Sequence, residues 1–191
     1  MTSTPGSAPE ELVAGLEAAA RAVAGFDWGT ATATQLALVE RIVAAEAVLG
    51  FAKVAIAGRL AVGETAAELG WASAKDLLTA VSGGHKGTGP GLVKLAERLA
   101  SMPATATALA AGWLSMAKAQ VIAAKVDSLP YDTALRAAAE ADLLGAARSL
   151  DATELARTWP SVLDRIDPES LSRFLCKGPV GVHRWGSIRS G

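Results

Sequence analysis

The sequence predicts an all-α protein, a multi-helix bundle with one long spine helix. Hydrophobic residues make up 51% of the 191 residues but aromatic residues only 5%, so the apolar part is mostly Ala, Val and Leu, which suit closely packed helices. No sustained period-two alternation occurs before residue 170, so no sheet is needed there. The length fits one well-buried domain, which we place at residues 9–169.

The first half of the chain contains three predicted helices. Residues 1–8 have the composition of a disordered lead-in, although Ser7 and Glu10 have the spacing of a capping box that starts a first helix, ended by Gly25. The second helix begins near Thr32 and continues to Gly63, and at 1.5 Å per residue it is about 45 Å long. Ser73 is the expected cap of the third.

The stretch SGGHKGTGPG, residues 82–91, connects the third helix to a fourth that has Pro90 in its first turn. A phosphate-binding P-loop has Gly-Lys-Ser/Thr directly after a strand, whereas here Lys86 precedes Gly87 and no strand leads in. Two interpretations stay open. The loop is either a flexible connection only, or a connection whose lysine also touches a backbone phosphate.

The second half continues with short helices that carry local start and stop signals. Met102-Pro103 starts a helix that stops at Gly112, and Ser115 caps the next one. A longer helix begins at Pro130. The last helix begins at the capping box of Asp151 and Glu154, is kinked by Pro160 and ends at Asp167-Pro168. The segment from Thr107 to Val126 has the outline of a helix-turn-helix, and an ordinary αα-hairpin explains it equally well.

The charges are distributed in blocks although the net charge is only −1. Residues 77–126 hold five Lys/Arg and one Asp/Glu, while both flanking blocks, 1–76 and 127–169, are acidic. Basic side chains on one face can follow a phosphate backbone without reading sequence, and the alternative is a solvated helix surface. The candidate nucleic-acid-binding residues are Lys86, Lys94, Arg98, Lys118 and Lys125.

The sequence offers no recognisable catalytic, metal or cofactor site. One cysteine, Cys176, and two distant histidines, His85 and His183, do not make the usual structural zinc site. The N-terminus lacks the pattern of a secretory signal. Residues 99–117 are uncharged, but Ser, Thr, Pro and Gly interrupt them, so we expect a cytoplasmic protein without a membrane span.

Five short motifs follow one another in an order that points to a known family. They are GWASAKDLL from Gly70, the glycine loop leading to GLVKLAERL, MPATATALAAGWLSMAKAQVIA from Met102, LDATELA from Leu150, and RIDPE ending at Glu169. Over most of residues 30–169 the chain resembles the actinobacterial domain of unknown function 222. That resemblance implies a helical domain that precedes an HNH endonuclease and assists DNA engagement.

The chain departs from that pattern in the nuclease part. An HNH motif uses metal-binding histidines and an asparagine, but the sequence contains no asparagine, so no catalytic residue carries over. Residues 170–191 contain four basic and no acidic residues, and we expect an irregular or β-hairpin-like basic tail. Truncation, internal deletion or a change of reading frame would each produce this ending.

Two functional hypotheses follow. The first is the helical module of an HNH-endonuclease-like protein, which binds DNA nonspecifically and is catalytically incomplete in this chain. The second is a helical protein interaction or oligomerisation module with no nucleic-acid role, whose partner is another copy or a separate helical protein.

Overall fold

The computed structural model describes residues 7–26 and 32–166, and the regular structure in these ranges is entirely helical. The all-α prediction is therefore confirmed. The ten helices of these ranges are α1 (Ser7–Ala24), α2 (Thr32–Val62), α3 (Thr65–Glu68), α4 (Ala74–Val81), α5 (Thr88–Leu99), α6 (Pro103–Ala110), α7 (Met116–Asp127), α8 (Thr133–Ala146), α9 (Ala152–Arg157) and α10 (Trp159–Ile166).

Side-chain caps explain several of the helix starts. The hydroxyl of Ser73 accepts a hydrogen bond from the Asp76 amide, and that of Ser115 accepts one from the Lys118 amide. At α9, Asp151 and Glu154 form both bonds of a capping box. Because these bonds join residues two or three positions apart, the sequence alone indicates them.

Some boundaries differ from the sequence prediction. The helix α3 has only four residues, too few to show a hydrophobic period, and it was not predicted. The helix α5 begins two residues before Pro90. Pro160 does not kink one helix but lies at the second position of α10, where its missing N–H group costs no intrahelical bond. Asp167-Pro168 and the predicted tail lie outside the described residues.

The chain divides into two compact units, residues 1–40 and 41–191. In the first unit, α1 has the predicted apolar stripe, but every α1 side chain from Pro9 onward is exposed, including Leu12 at 74%. Within the first unit, these apolar side chains therefore form no buried cluster among the described residues.

The second unit contains the hydrophobic core, and α7 lies at its centre. Ala119, Ile122 and Ala123 of α7 are completely buried, and α7 contacts α5, α6, α8 and α9. The long helix α2 contributes Ala47 and Val54 to the same cluster. No helix within the described ranges combines the length and the hydropathy needed to cross a bilayer.

Candidate nucleic-acid interface

The glycine-rich loop is a tight connection between α4 and α5. Gly83, Gly84 and Gly87 have positive φ angles of 91°, 75° and 96°, which other residues rarely adopt. The first turn of α5 lies directly against α4, because the hydroxyl of Thr79 accepts a hydrogen bond from the Gly89 amide at 3.2 Å. That amide of the helix start is therefore already bonded and is not free for a ligand.

Lys86 lies in this loop, immediately before α5. Its side chain is exposed and makes no hydrogen bond or ion pair within the described part of the chain. The phosphate contact of Lys86 stays a prediction. The exposed ammonium group of Lys86 is accessible to a phosphate.

Lys94 and Arg98 lie four residues apart on the same face of α5. Gly91 precedes them on this face, and a Cβ atom at Gly91 would have no atom within 4 Å. Lys94 is exposed, whereas Arg98 Nε donates to Asp127 Oδ2 at 2.9 Å and the Arg98 side chain is 20% exposed. The two predicted cations are thus neighbours, one unpaired within the described residues and one paired.

Both side chains line a cleft of about 660 Å³ between α5, the end of α7 and the start of α8, which we call the α5–α8 cleft. Three cationic and three acidic residues line it. They are Lys94, Arg98, Arg136, Glu97, Asp127 and Glu140. The formal charges of these six residues cancel. The charge that a ligand would meet in the cleft therefore depends on which of the six side chains are already bonded within the protein.

Two of the three carboxylates have partners in the fold. Asp127 is bound to Arg98. Glu140, 6% exposed, accepts a hydrogen bond from the Thr105 amide at 2.6 Å. Thr105 is the third residue of α6, whose N-cap Met102 provides no side-chain cap, so Glu140 caps α6 from α8. Glu97 is exposed and has no bonded partner among the described residues.

Tyr131 and Arg136 form an aromatic platform at the edge of the α5–α8 cleft. The guanidinium carbon of Arg136 is 4.4 Å from the centre of the Tyr131 ring. Arg136 Nε donates to the Pro130 carbonyl at 3.0 Å and Nη2 to the Leu129 carbonyl at 2.8 Å, which fixes the guanidinium group. Tyr131 is 96% exposed.

Sequence reasoning missed this platform. The available signal was the only tyrosine of the chain, set between Pro130 and Asp132 with an arginine five residues later. Its proximity to Lys94 and Arg98 depends on the packing of α8 against the rest of the bundle.

The other two predicted cations do not line the α5–α8 cleft. Lys118 Nζ donates to the Ala147 carbonyl at 2.8 Å, just past the end of α8, where a cation is favoured by the helix dipole. Lys125 lines a shallow groove between α7 and α9, together with Gln120 and Thr153. The structure thus brings Lys94 and Arg98 together and places Lys118 and Lys125 at other positions.

The segment from Thr107 to Val126 forms α6, a turn at Gly112 and α7. A recognition helix must project from the surface into a groove of DNA. Here α7 packs against four helices and buries Ile122, Ala123 and Val126. This burial favours the αα-hairpin interpretation over sequence readout by α7.

The described residues contain no group of three His, Cys, Asp or Glu side chains that could hold a metal ion. His85 is exposed in the glycine-rich loop. His183 and Cys176 lie outside the described residues.

Comparison with known proteins gives a match to one protein family. No curated protein and no solved structure matches the chain. A family model, described as domain of unknown function (DUF222), matches residues 36–174, which is most of the chain and includes every helix from the body of α2 to α10. The chain therefore belongs to the DUF222 family.

Proposed function

We propose that this chain is the helical module of an HNH-endonuclease-like protein, that it contacts the DNA backbone, and that it does not itself carry the catalytic HNH motif. Membership of the DUF222 family supports the first part through the resemblance described above. The observation that carries the second part is the face of α5 that follows the loop of Lys86. This face presents the exposed Lys94 and, one turn later, the partly buried Arg98.

The composition of this surface favours phosphate contacts over base readout. Lys and Arg neutralise phosphates, whereas specific reading of bases commonly uses Asn, Gln or bidentate Arg in a groove. The sequence contains no asparagine, and Arg98 is held by Asp127. Binding should therefore be nonspecific in sequence and strongly dependent on salt.

Fluorescence anisotropy with labelled duplex DNA over a salt series tests this proposal. A variant with Lys86→Ala and Lys94→Ala should bind more weakly, and the slope of log affinity against log salt should decrease by about 1 for each lysine that contacts a phosphate. The matched control replaces two exposed cations of α2, Arg41 and Lys53, by alanine. Absence of duplex binding at low salt, or equal slopes for both double variants, would contradict the proposal.

A second candidate function is a homo-oligomerisation module, favoured by an exposed strip on α2. Ile42, Ala45, Leu49, Ala52 and Ile56 follow the alternating spacing of three and four residues typical of a coiled coil. Ile42 is 39% and Ile56 57% exposed, both alanines are exposed, and Leu49 is half-buried. Exposed apolar strips of this kind often mark interaction surfaces.

The pattern of this α2 strip is complementary to itself. Large side chains occupy one set of heptad positions and alanines the other. In an antiparallel pair of helices these two sets face each other, so Ile42 would lie opposite Ala52 of the second copy and Leu49 opposite Ala45. The partner that fits best is therefore a second copy of this chain.

A further inference from the structure

We infer that the α5–α8 cleft binds an unpaired nucleotide of single-stranded nucleic acid, stacking its base on Tyr131 and holding the adjacent phosphates with Lys94 and Arg98. This inference rests on the proposed nucleic-acid role and deepens it by naming the form of nucleic acid. The combination of a cationic groove with an exposed aromatic ring is the chemistry by which proteins bind single strands without sequence preference.

The Tyr131 ring is presented to solvent on a fixed support. An unsupported tyrosine that is 96% exposed would lose side-chain entropy when a base stacks on it. Here the Arg136 guanidinium lies 4.4 Å from the ring centre, and its own donors are bonded to the Pro130 and Leu129 carbonyls. The ring is therefore held from one side while its other face remains free for a base.

The cleft provides phosphate-binding groups beside this ring. Lys94 has no partner within the described residues. Arg98 uses its Nε atom for Asp127, so its terminal nitrogens form no hydrogen bond within the described part of the chain. The cleft volume of about 660 Å³ lies within the range of sites that hold a small ligand such as one nucleotide. Duplex DNA buries its bases in the stack and would leave Tyr131 unused.

The acidic residues of the cleft do not all oppose an anion. Asp127 and Glu140 are bonded to Arg98 and to the Thr105 amide. Of the three carboxylates that line the cleft, only that of Glu97 is exposed and has no bonded partner in the described part of the chain. Removing its charge should therefore strengthen binding if phosphates enter the cleft.

The chain offers a matched comparison for the aromatic platform. The Arg148 guanidinium lies 4.6 Å from the ring centre of Trp113, which is 41% exposed, in a groove lined by small residues of α6 and α8. Lys94 and Arg98 do not line that groove. Trp113 therefore has the same arginine–aromatic contact without the phosphate-binding cations.

The test measures anisotropy with a labelled single-stranded oligodeoxynucleotide and with its duplex, at one salt concentration. Tyr131→Leu should lower the affinity for the single strand about 5- to 100-fold and leave duplex affinity unchanged, while Tyr131→Phe should bind like the unaltered protein. Trp113→Leu should not change single-strand affinity. Glu97→Gln should raise it, and circular dichroism melting should show that each variant is folded.

The outcomes separate this inference from the proposed function. Unchanged single-strand affinity in Tyr131→Leu, or an equal loss in Tyr131→Leu and Trp113→Leu, overturns the inference alone if the duplex still binds. Single-strand binding that depends on Tyr131, without any duplex binding, supports the inference and overturns the proposed duplex contact. Absence of binding to both probes overturns both.

Discussion

Glu140 and Thr105 are the polar or charged side chains that the described part of the chain buries. A carboxylate is costly to bury without compensation, and Glu140 is compensated by the amide of Thr105 in the first turn of α6. The contact joins residues 35 positions apart. A sequence pattern cannot indicate such a cap, because the capping rules that can be read locally involve residues two or three positions apart.

We expect Glu140→Ala to lower the free energy of unfolding by about 2 kcal/mol, since it removes a hydrogen bond to a charged group and leaves the Thr105 amide buried without a partner. Glu140→Gln keeps an acceptor oxygen and should cost less. Urea denaturation monitored by circular dichroism measures both changes. Glu97→Ala, at an exposed position of α5, is the control and should change stability little. Equal stability of Glu140→Ala and the unaltered protein would show that the cap is unimportant.

At the scale of single elements, the start of α5 shows how closely two helices can approach. A Cβ atom at Gly89 would overlap the Lys75 carbonyl oxygen and lie 2.6 Å from Thr79 Oγ1. Gly91, two residues later in the same helix, faces open space. The sequence shows both as glycines of one loop and does not distinguish them, because the difference arises from the packing of α4.

Gly89→Ala should therefore destabilise the protein by about 3 kcal/mol through overpacking against backbone that cannot move away. Gly91→Ala should stabilise it by up to about 1 kcal/mol, because alanine is the better helix former at an exposed helical position. Thermal and urea denaturation of the two variants check this pair. A similar effect of both substitutions would contradict the close contact between α4 and α5.

At the scale of the whole molecule, α7 is the centre of packing, while the long α2 helix buries only one of its faces. The exposed strip of α2 predicts self-association that depends on concentration. Ile42→Lys together with Ile56→Lys should give a monomer at every concentration in sedimentation velocity, because two charges would enter the apolar contact. Val62→Lys, at a residue that is 91% exposed and outside the strip, should leave association unchanged. A monomeric unaltered protein over the whole concentration range would reject this second candidate function.

The sequence by itself determined the all-α class and the positions of most helices. These features depend on contacts between residues a few positions apart, such as the caps at Ser73, Ser115 and Asp151.

Only the tertiary structure decided which apolar faces are covered and which charges are already bonded. It places α7 in the centre, leaves the α1 stripe exposed, binds Lys118 to the Ala147 carbonyl and sets Tyr131 beside the cations of α5. The physical reason is that an apolar or charged face is specified by sequence, whereas its partner comes from a distant part of the chain and is selected by how the helices pack.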